Sequence, residues 1–243
     1  MKVRVDQMLV DRGLAPSRAR AQALVLAGKV FSGERRIDKA GTAIPADAPL
    51  DVRGEDHPYV SRGGVKLAGA LDGFGIDPRG LRCVDVGAST GGFTDCLLQR
   101  GAASVAAVDV GYGQLAHSLR VDPRVLVLER TNARTLTPER IGGEVDLAVV
   151  DASFIGLGLL LEGIARCLRA GGQLVALVKP QFEVGREEAA KTRGVIRDPE
   201  VRARAIADVT AEVTRAGLVI LGSADCVLPG PKGNVEAFIH ANK

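Results

Sequence analysis

Residues 81–93 read LRCVDVGASTGGF and join an apolar stretch to a turn with three glycines. An apolar run that ends in such a turn is typical of a buried parallel strand followed by a helix. Glycines at this junction let a ligand approach the backbone closely. The turn differs from the dinucleotide-binding pattern G-x-G-x-x-G, because Ser89 stands at its second glycine. The stretch predicts an α/β fold with a ligand-binding loop after its first strand.

The alternation of strands and helices continues to the end of the chain. Further strands are predicted over residues 104–110, 125–129, 145–151 and 173–179. Helices are predicted over residues 64–74, 93–100, 113–119, 157–169 and 199–216. Two final strands, 218–227 and 234–241, flank the turn PGPKG, which folds them into an antiparallel hairpin. We therefore expect the class I (Rossmann-like) methyltransferase fold, a seven-stranded sheet with an antiparallel last strand and helices on both faces.

The composition is that of a globular protein with one large domain and a small appendage. The chain has 243 residues, of which 46% are hydrophobic and 25% are charged. It shows no apolar run of membrane-spanning length and no signal peptide at its N-terminus. The cysteines lie far apart without a C-x-x-C pair, which argues against a disulfide framework and a zinc site. These features favour a cytoplasmic protein that uses neither a membrane nor a metal.

The first 45 residues are basic, with nine Lys or Arg against four Asp or Glu. Val5, Met8 and Leu9 have helical spacing, Ser17 is a suitable N-cap for a second helix, and residues 28–44 contain turns between short strands. The pattern predicts a small α+β domain. Basic clusters attract nucleic-acid phosphates, although a charged helix face is more often simply solvated. The candidate RNA contacts are Arg4, Arg18, Arg20, Lys29, Arg35 and Arg36.

Residues 4–30, RVDQMLVDRGLAPSRARAQALVLAGKV, resemble the opening of the RNA-binding domain of the ribosomal protein S4 type. That family combines an R-L-D-x-x-L helix, a G-x-x-x-S-R helix start and a G-K-V strand start. The V-N-G that normally follows is replaced here by Phe31-Ser32-Gly33, which keeps the turn glycine. The resemblance implies an S4-type domain over residues 1–57, a linker over 58–64 and a second domain over 65–243. We expect Arg62 of the linker to contact RNA as well.

The glycine turn itself resembles the S-adenosylmethionine loop of methyltransferases related to FtsJ, whose pattern is D-x-G-x-x-x-G-G-[FW]. Asp109 ends the second strand and is placed to accept hydrogen bonds from the hydroxyls of the adenosine ribose. Asn132 follows the third strand, where we expect it at the adenine edge. The resemblance implies further cofactor contacts from Asp85, Gly87, Ala88, Ser89, Gly91, Gly92 and Phe93.

Charged residues lie at the carboxyl ends of the predicted parallel strands, where open α/β sheets bind their ligands. Asp151 ends VDLAVV and Lys179 ends QLVALV. Glu236 lies early in the last strand, and the start of an antiparallel strand meets the ends of the parallel ones. Lys66 lies on the helix before the first strand. Each residue alone has an ordinary explanation, such as a helix-cap neighbour for Asp151 or an exposed strand end for Lys179.

Lys66, Asp151, Lys179 and Glu236 match, in order and context, the K-D-K-E set of ribose 2′-O-methyltransferases. The strings SRGGVKLAGAL, DVGASTGGFTDCLL, VDLAVVDASFI, LVKPQFE and GNVEAFIH extend the match over nearly the whole length. The chain is thus identified as a member of the TlyA family, often labelled hemolysin. The resemblance implies S-adenosylmethionine-dependent 2′-O-methylation of cytidine in 16S or 23S ribosomal RNA, with that RNA or a ribosomal subunit as partner. We expect a monomer.

A ribose hydroxyl is a poor nucleophile, so this reaction needs a group that activates it. Lys179 either takes the proton of the hydroxyl or stays charged and stabilises the developing alkoxide, and the sequence leaves both roles open. Asp151 and Glu236 are expected to orient the two lysines, and Lys66 to hold the ribose or its phosphate. Phe154 and Phe182 are candidates for stacking on the target base.

Three other functions are alternatives to ribose methylation. A base methyltransferase is disfavoured, because residues 151–154 read DASF instead of [DN]-P-P-[YF], and no cysteine nucleophile follows the fourth or fifth strand. A cytolysin needs a membrane-inserting segment, which the sequence does not show. A non-catalytic RNA-binding protein with a methyltransferase fold is the strongest alternative, and the complete K-D-K-E set speaks against it.

Overall fold

The structure is a computed structural model that describes residues 2–53, 57–185, 192, 194–230 and 233–243. The chain forms two compact units, residues 1–56 and 57–243. The boundaries drawn from the sequence, a domain to residue 57 and a linker over 58–64, stay predictions. A helix begins at Arg62, within the predicted linker.

The first unit is a small α+β domain, as predicted. Ser17 caps its second helix, because its hydroxyl accepts a hydrogen bond from the backbone nitrogen of Arg20 at 3.2 Å. Val5, Leu9 and Val30 are fully buried in its core. Its elements are β1 (Lys2–Arg4), α1 (Val5–Asp11), α2 (Arg18–Leu26), β2 (Val30–Ser32), β3 (Arg35–Arg36), β4 (Ala43–Pro45) and β5 (Asp51–Val52). Strand β1 pairs with β4, and β2 lies between β3 and β5.

The second unit alternates strands and helices. Its helices are α3 (Arg62–Phe74), α4 (Gly92–Gln99), α5 (His117–Arg120), α6 (Gly158–Cys167), α7 (Pro180–Glu183) and α8 (Pro199–Arg215). Its strands are β6 (Arg82–Val86), β7 (Ser104–Val108), β8 (Val125–Leu128), β9 (Val145–Val150), β10 (Leu168–Val178), β11 (Val219–Asp225) and β12 (Ala237–Asn242). Two 3₁₀ turns, Ala133–Thr135 and Pro138–Ile141, lie between β8 and β9.

The seven strands form one sheet in the order β11-β12-β10-β9-β6-β7-β8. Strands β6, β7, β8, β9 and β10 pair in parallel, and β12 is antiparallel to both of its neighbours. The predicted seven-stranded sheet with an antiparallel last strand is therefore confirmed. Because β12 is reversed, its beginning lies at the edge where β10 and the other parallel strands end.

Both faces of the sheet are covered, which explains the continuous apolar strands. Along β9, Ala148 and Val150 pack in one core with side chains of α6 and α8, whereas Leu147 and Val149 pack in a second core with side chains of α3 and α4. No helix of the described residues is long and apolar enough to cross a membrane.

Three of the predicted elements of the second unit differ from their predicted bounds by three residues or more at one end. The helix predicted over 113–119 is reduced to the four residues of α5, because glycines at 111 and 113 shape a turn that ties back to Asp109 and Glu129. Strand β10 begins at Leu168, where the chain leaves α6 directly into extended backbone. The last strand begins at Ala237, so Glu236 immediately precedes it.

The packing of α6 supplies a test of the core. A Cβ atom at Gly163 would clash with the backbone carbonyl oxygen of Ala133. We expect Gly163→Ala to lower the free energy of unfolding by roughly 1–3 kcal/mol, because backbone cannot give way as a side chain does. The matched control is Gly73→Ala in α3, where the added carbon meets nothing within 4 Å, and we expect a gain of up to about 1 kcal/mol there. Urea unfolding measures both, and equal effects of the two substitutions would contradict this packing.

Candidate active site

A cavity of about 250 Å³ opens where β6, β9 and β10 end. It brings together residues from the start of α3, the glycine loop after β6, the loop after β9 and the end of β10. Its lining residues are Ser61, Arg62, Gly63, Lys66, Gly87, Ala88, Ser89, Thr90, Gly92, Phe93, Asp151, Ser153, Lys179 and Pro229. Much of the set predicted from the sequence thus lies around one cavity.

The four K-D-K-E residues form two ion pairs. Lys66 and Glu236 are joined in a buried ion pair, with exposed fractions of 8% and 1%. The ammonium of Lys179 lies 2.5 Å from Asp151 Oδ1. Asp151 Oδ1 has no hydrogen-bond partner among the described residues, so this second contact is an ion pair. Each buried ammonium is therefore matched by a carboxylate, as burial of charge requires.

Ser153 is a residue of the site that the sequence analysis did not single out. Lys179 Nζ donates a hydrogen bond to Ser153 Oγ at 2.7 Å. Ser153 also lines the cavity, two residues after Asp151 on the same loop. A carboxylate in an ion pair and a hydroxyl that accepts a hydrogen bond, both from one loop, thus fix the position of the Lys179 ammonium. The only signal in the sequence was a polar residue close behind Asp151.

The glycine loop is shaped by close contacts. Gly87 has a φ of 86°, and a Cβ atom there would come within 2.6 Å of the carbonyl oxygen of Asp151. Gly91 has a φ of 94°, which also favours glycine. The backbone nitrogen of Ser89 donates to Asp109 Oδ2 at 2.7 Å, so the loop is tied to the end of β7.

A second, much smaller pocket of about 10 Å³ also borders this loop. It is lined by Ala88, Ser89, Ala107, Asp109, Gly111, Gln114, Leu115, Val127 and Glu129. Ala88 and Ser89 line both pockets, so the two pockets border the same part of the glycine loop. Asp109 lines the second pocket, and its predicted contact with the adenosine ribose stays a prediction.

Asp85 and Asn132 do not line either pocket. Asp85 is fully buried and accepts hydrogen bonds from the backbone nitrogen and hydroxyl of Thr94 at 2.9 and 2.6 Å, which anchors the start of α4. Asn132 is exposed and caps a 3₁₀ turn by accepting from the backbone nitrogen of Arg134 at 3.0 Å. Their roles as cofactor contacts stay predictions.

The predicted RNA contacts lie on both units. Arg4 and Arg18 bind the carboxylate of Asp6, and Arg36 forms an ion pair with Asp38. Arg35 is exposed, whereas Arg20 and Lys29 are partly buried. In the second unit, Arg62 is exposed and lines the cavity. Among the residues that the structure describes, no group of His, Cys, Asp and Glu side chains could hold a metal ion.

The seven-stranded sheet with its reversed last strand, and the glycine loop beside two lysine–carboxylate pairs, define a class I methyltransferase. The FtsJ-like methyltransferase family matches residues 59–243, and the S4 domain matches residues 3–48. The chain therefore belongs to the FtsJ-like methyltransferase family, in the TlyA branch that carries an S4 domain at its N-terminus. The family, the fold and the S4-type domain expected from the sequence are confirmed.

Individual relatives agree with this assignment. The chain is 52% identical to the 16S/23S rRNA (cytidine-2′-O)-methyltransferase TlyA of Mycobacterium tuberculosis, over 98% of this chain and 89% of that protein. It is 36% identical to Hemolysin A of Brachyspira hyodysenteriae, over 98% of this chain and 99% of that protein. A solved structure described as a hemolysin from Streptococcus thermophilus is 41% identical, with a TM-score of 0.78, and the match covers 100% of this chain and 88% of that one.

The buried carboxyl of Asp85 makes stability depend on pH. Burial raises its pKa from 3.8 to about 7, and the hydrogen bonds from Thr94 oppose this only in part. As the pH rises from 3.8 to about 7, the unfolded chain loses this proton while the folded protein keeps it, so the contribution of Asp85 to stability falls. We therefore expect Asp85→Asn to become more stable relative to the wild type over this interval.

Urea unfolding of both proteins between about pH 5 and about pH 8 measures this difference, in which the titration of all other groups cancels. A difference in the free energy of unfolding that stays constant across the series would show that Asp85 is ionised in the folded protein.

Proposed function

We propose that this protein transfers the methyl group of S-adenosylmethionine to the 2′-hydroxyl of a cytidine in 16S or 23S ribosomal RNA. The observation that carries the proposal is the pair of lysine–carboxylate contacts, Lys66–Glu236 and Lys179–Asp151, beside a glycine loop at the edge of the sheet. The name of the M. tuberculosis relative, 52% identical over nearly the whole chain, supports the substrate.

The residues around the loop fit S-adenosylmethionine. Glycine at 87 and 91 lets the loop pack closely, because a Cβ atom would meet the Asp151 carbonyl at 87 and the side chains of Leu115 and Leu119 at 91. Ala88 and Ser89 border both pockets, so a cofactor that lies along this part of the loop would contact residues of both. Asp109 is the residue that would hold the ribose hydroxyls of the cofactor. We assign the remaining contacts to Gly92 and Phe93 in the first pocket, with Asp85 and Asn132 acting from outside the pockets. The cofactor supplies a methyl group on a positively charged sulfur.

Lys179 is the residue that activates the ribose hydroxyl. Asp151 and Ser153 occupy two directions around its Nζ atom, at 2.5 and 2.7 Å. The remaining direction is available to the ribose hydroxyl. A neutral amine takes the proton of this hydroxyl, whereas a charged ammonium donates a hydrogen bond to its oxygen. Lys66, held by the buried Glu236, supplies a second positive group for the ribose or its phosphate.

An aromatic pair beside Lys179, of which one ring is exposed, suits the base of the target nucleotide. Phe154 is 90% exposed and has a φ of 65°, an uncommon conformation for a large side chain. Its ring packs on that of Phe182, with the centroids 5.1 Å apart, and Lys179 Nζ lies 6.0 Å from the Phe182 ring. An unpaired base that stacks on Phe154 would place its ribose near the amine, since RNA-binding proteins commonly stack single-stranded bases on aromatic rings.

The test of the function is methyl transfer from labelled S-adenosylmethionine to unmodified 16S and 23S RNA and to ribosomal subunits, with the product mapped at nucleotide resolution. We expect label on a cytidine 2′-oxygen and a loss of roughly 100- to 10,000-fold in Lys179→Ala, with cofactor binding retained. The matched control is Lys243→Ala, an exposed lysine of the same unit that donates to the Leu168 carbonyl, away from the cavity.

Label on a base would refute the ribose mechanism while leaving a methyltransferase. Cofactor binding without label on any of these substrates would favour the alternative of a non-catalytic RNA-binding protein.

Ser153 provides a finer test of how Lys179 is positioned. Removing an acceptor from a charged donor costs about 1.5–3 kcal/mol, so we expect Ser153→Ala to lower kcat roughly 10- to 100-fold. The KM for RNA should stay close to that of the wild type, because Ser153 acts on the lysine. Ser153→Thr keeps the hydroxyl and should restore most of the rate. An alanine variant with unchanged kcat would show that Asp151 alone positions the ammonium.

A further inference from the structure

A buried carboxylate in the first unit is not used by the methyl-transfer site. Asp6 is 0% exposed, although it lies on the short helix α1. Its oxygens accept hydrogen bonds from Arg4 Nε and Nη2 at 3.0 and 2.9 Å, from Arg18 Nη2 at 3.1 Å, and from Gln22 Nε2 at 3.1 Å. The direct bond from Arg4 holds the pKa of Asp6 well below its usual range, with Gln22 and Arg18 adding to the effect. The carboxylate is therefore ionised.

The two arginines come from different elements and meet on one atom. Arg4 ends β1, Arg18 begins α2, and both Nη2 atoms bind Asp6 Oδ2. Each arginine side chain nevertheless stays 53% exposed. The cluster holds two positive groups side by side with one negative charge beneath them. Its net charge of one positive unit is what a single phosphate of a nucleic-acid backbone neutralises.

The Arg4 guanidinium also packs against a glycine of the first unit. A Cβ atom at Gly41 would come within 3.3 Å of Arg4 Nη1, tighter than ordinary contact. Gly41 is not among the described residues with positive φ, so its backbone does not require glycine. The Arg4 guanidinium thus lies against the backbone at Gly41, and a side chain there would shift it by a few tenths of an ångström.

Stability alone does not explain why the small first unit contains a buried carboxylate, because burying a charge costs free energy. Replacing a buried ion pair with apolar side chains is often neutral or stabilising. What the buried charge does achieve is to fix two long side chains before any ligand arrives. A free arginine loses rotamer entropy when it binds, whereas one already held in place loses less.

We propose that Asp6 is a positioning residue for RNA binding, which holds the guanidinium groups of Arg4 and Arg18 as a fixed pair for backbone phosphates. The inference rests on the proposed function, in which ribosomal RNA is the substrate, and adds that the S4-type first unit binds this RNA. It adds a specific claim, that a negatively charged residue strengthens the binding of a negatively charged ligand.

The substitution Asp6→Asn distinguishes an effect of positioning on RNA affinity from an effect of net charge, because the two predict opposite changes. Removing a negative charge raises the positive potential, which by itself strengthens RNA binding. Loss of positioning weakens it, and we expect a Kd for ribosomal RNA about five- to tenfold higher, from the ordering of two side chains. Fluorescence anisotropy with the full-length protein, repeated over a series of salt concentrations, measures both the affinity and the number of phosphate contacts.

Asp11→Asn is the matched control. Asp11 lies on the same helix, is exposed, and accepts a hydrogen bond from Gln7 Nε2 at 2.8 Å. The substitution makes the same change in charge without touching either arginine, so we expect unchanged or slightly tighter binding. Thermal melting followed by circular dichroism shows whether the first unit stays folded in each variant.

Arg18→Lys keeps the test decisive if Asp6→Asn does not fold. It preserves the positive charge at an exposed site but removes the planar fork that reaches Asp6. We expect about threefold to tenfold weaker binding with an unchanged salt dependence.

The outcomes separate the inference from the function on which it rests. Weaker binding by Asp6→Asn or, where that variant unfolds, by Arg18→Lys, together with wild-type binding by Asp11→Asn, supports the positioning role. Tighter binding by a folded Asp6→Asn, or wild-type affinity in Arg18→Lys, overturns it. Wild-type affinity and salt dependence in both Arg4→Ala and Arg18→Ala would show that this surface does not bind RNA, and the proposed role of the first unit would fail.

Discussion

The ends of two neighbouring parallel strands meet backbone to backbone at Gly87 and Asp151. The Asp151 nitrogen donates to the Val86 carbonyl at 2.9 Å, which extends the ladder between β6 and β9 by one residue. The Asp151 carbonyl lies so close to Gly87 that a Cβ atom there would come within 2.6 Å of it. The loop that suits the cofactor and the carboxylate that binds Lys179 therefore depend on one glycine. Any side chain at 87 would push them apart.

The reversed last strand supplies the remaining member of the site. Glu236 immediately precedes β12 and reaches Lys66, which lies 170 residues earlier in the chain. A parallel strand would carry the residue before its first position to the opposite edge of the sheet, away from the cavity. The turn before β12 also leaves space for the carboxylate, because a Cβ atom at Gly230 would lie 2.5 Å from Glu236 Oε1. Strand direction and one small residue thus place a buried negative charge beside Lys66.

The order of residues along the edge of the sheet was predictable, but their partners were not. Apolar runs that end in Asp151 and Lys179 are visible in the sequence because buried parallel strands are continuously apolar and their ends face solvent. Which lysine pairs with which carboxylate depends on side-chain directions and distances across the sheet, which spacing along the chain does not contain. Ser153 was missed for the same reason. For Asn132 the position after the third strand was predictable from the sequence. That its side chain caps the following turn was not.

Two aspartates show why burial, which the sequence does not state, decides the chemistry of a motif. Asp85 is buried with a threonine as its partner, and this burial raises its pKa to about 7 because the hydrogen bonds from Thr94 oppose it only in part. Asp6 is buried under two arginines, and its pKa falls well below the usual range. In the first unit Arg4, Asp6 and Arg18 thus form one charge cluster, although they lie on a strand and two different helices. The basic residues gave the visible signal in the sequence, and the acidic residue among them fixes where their charges stand.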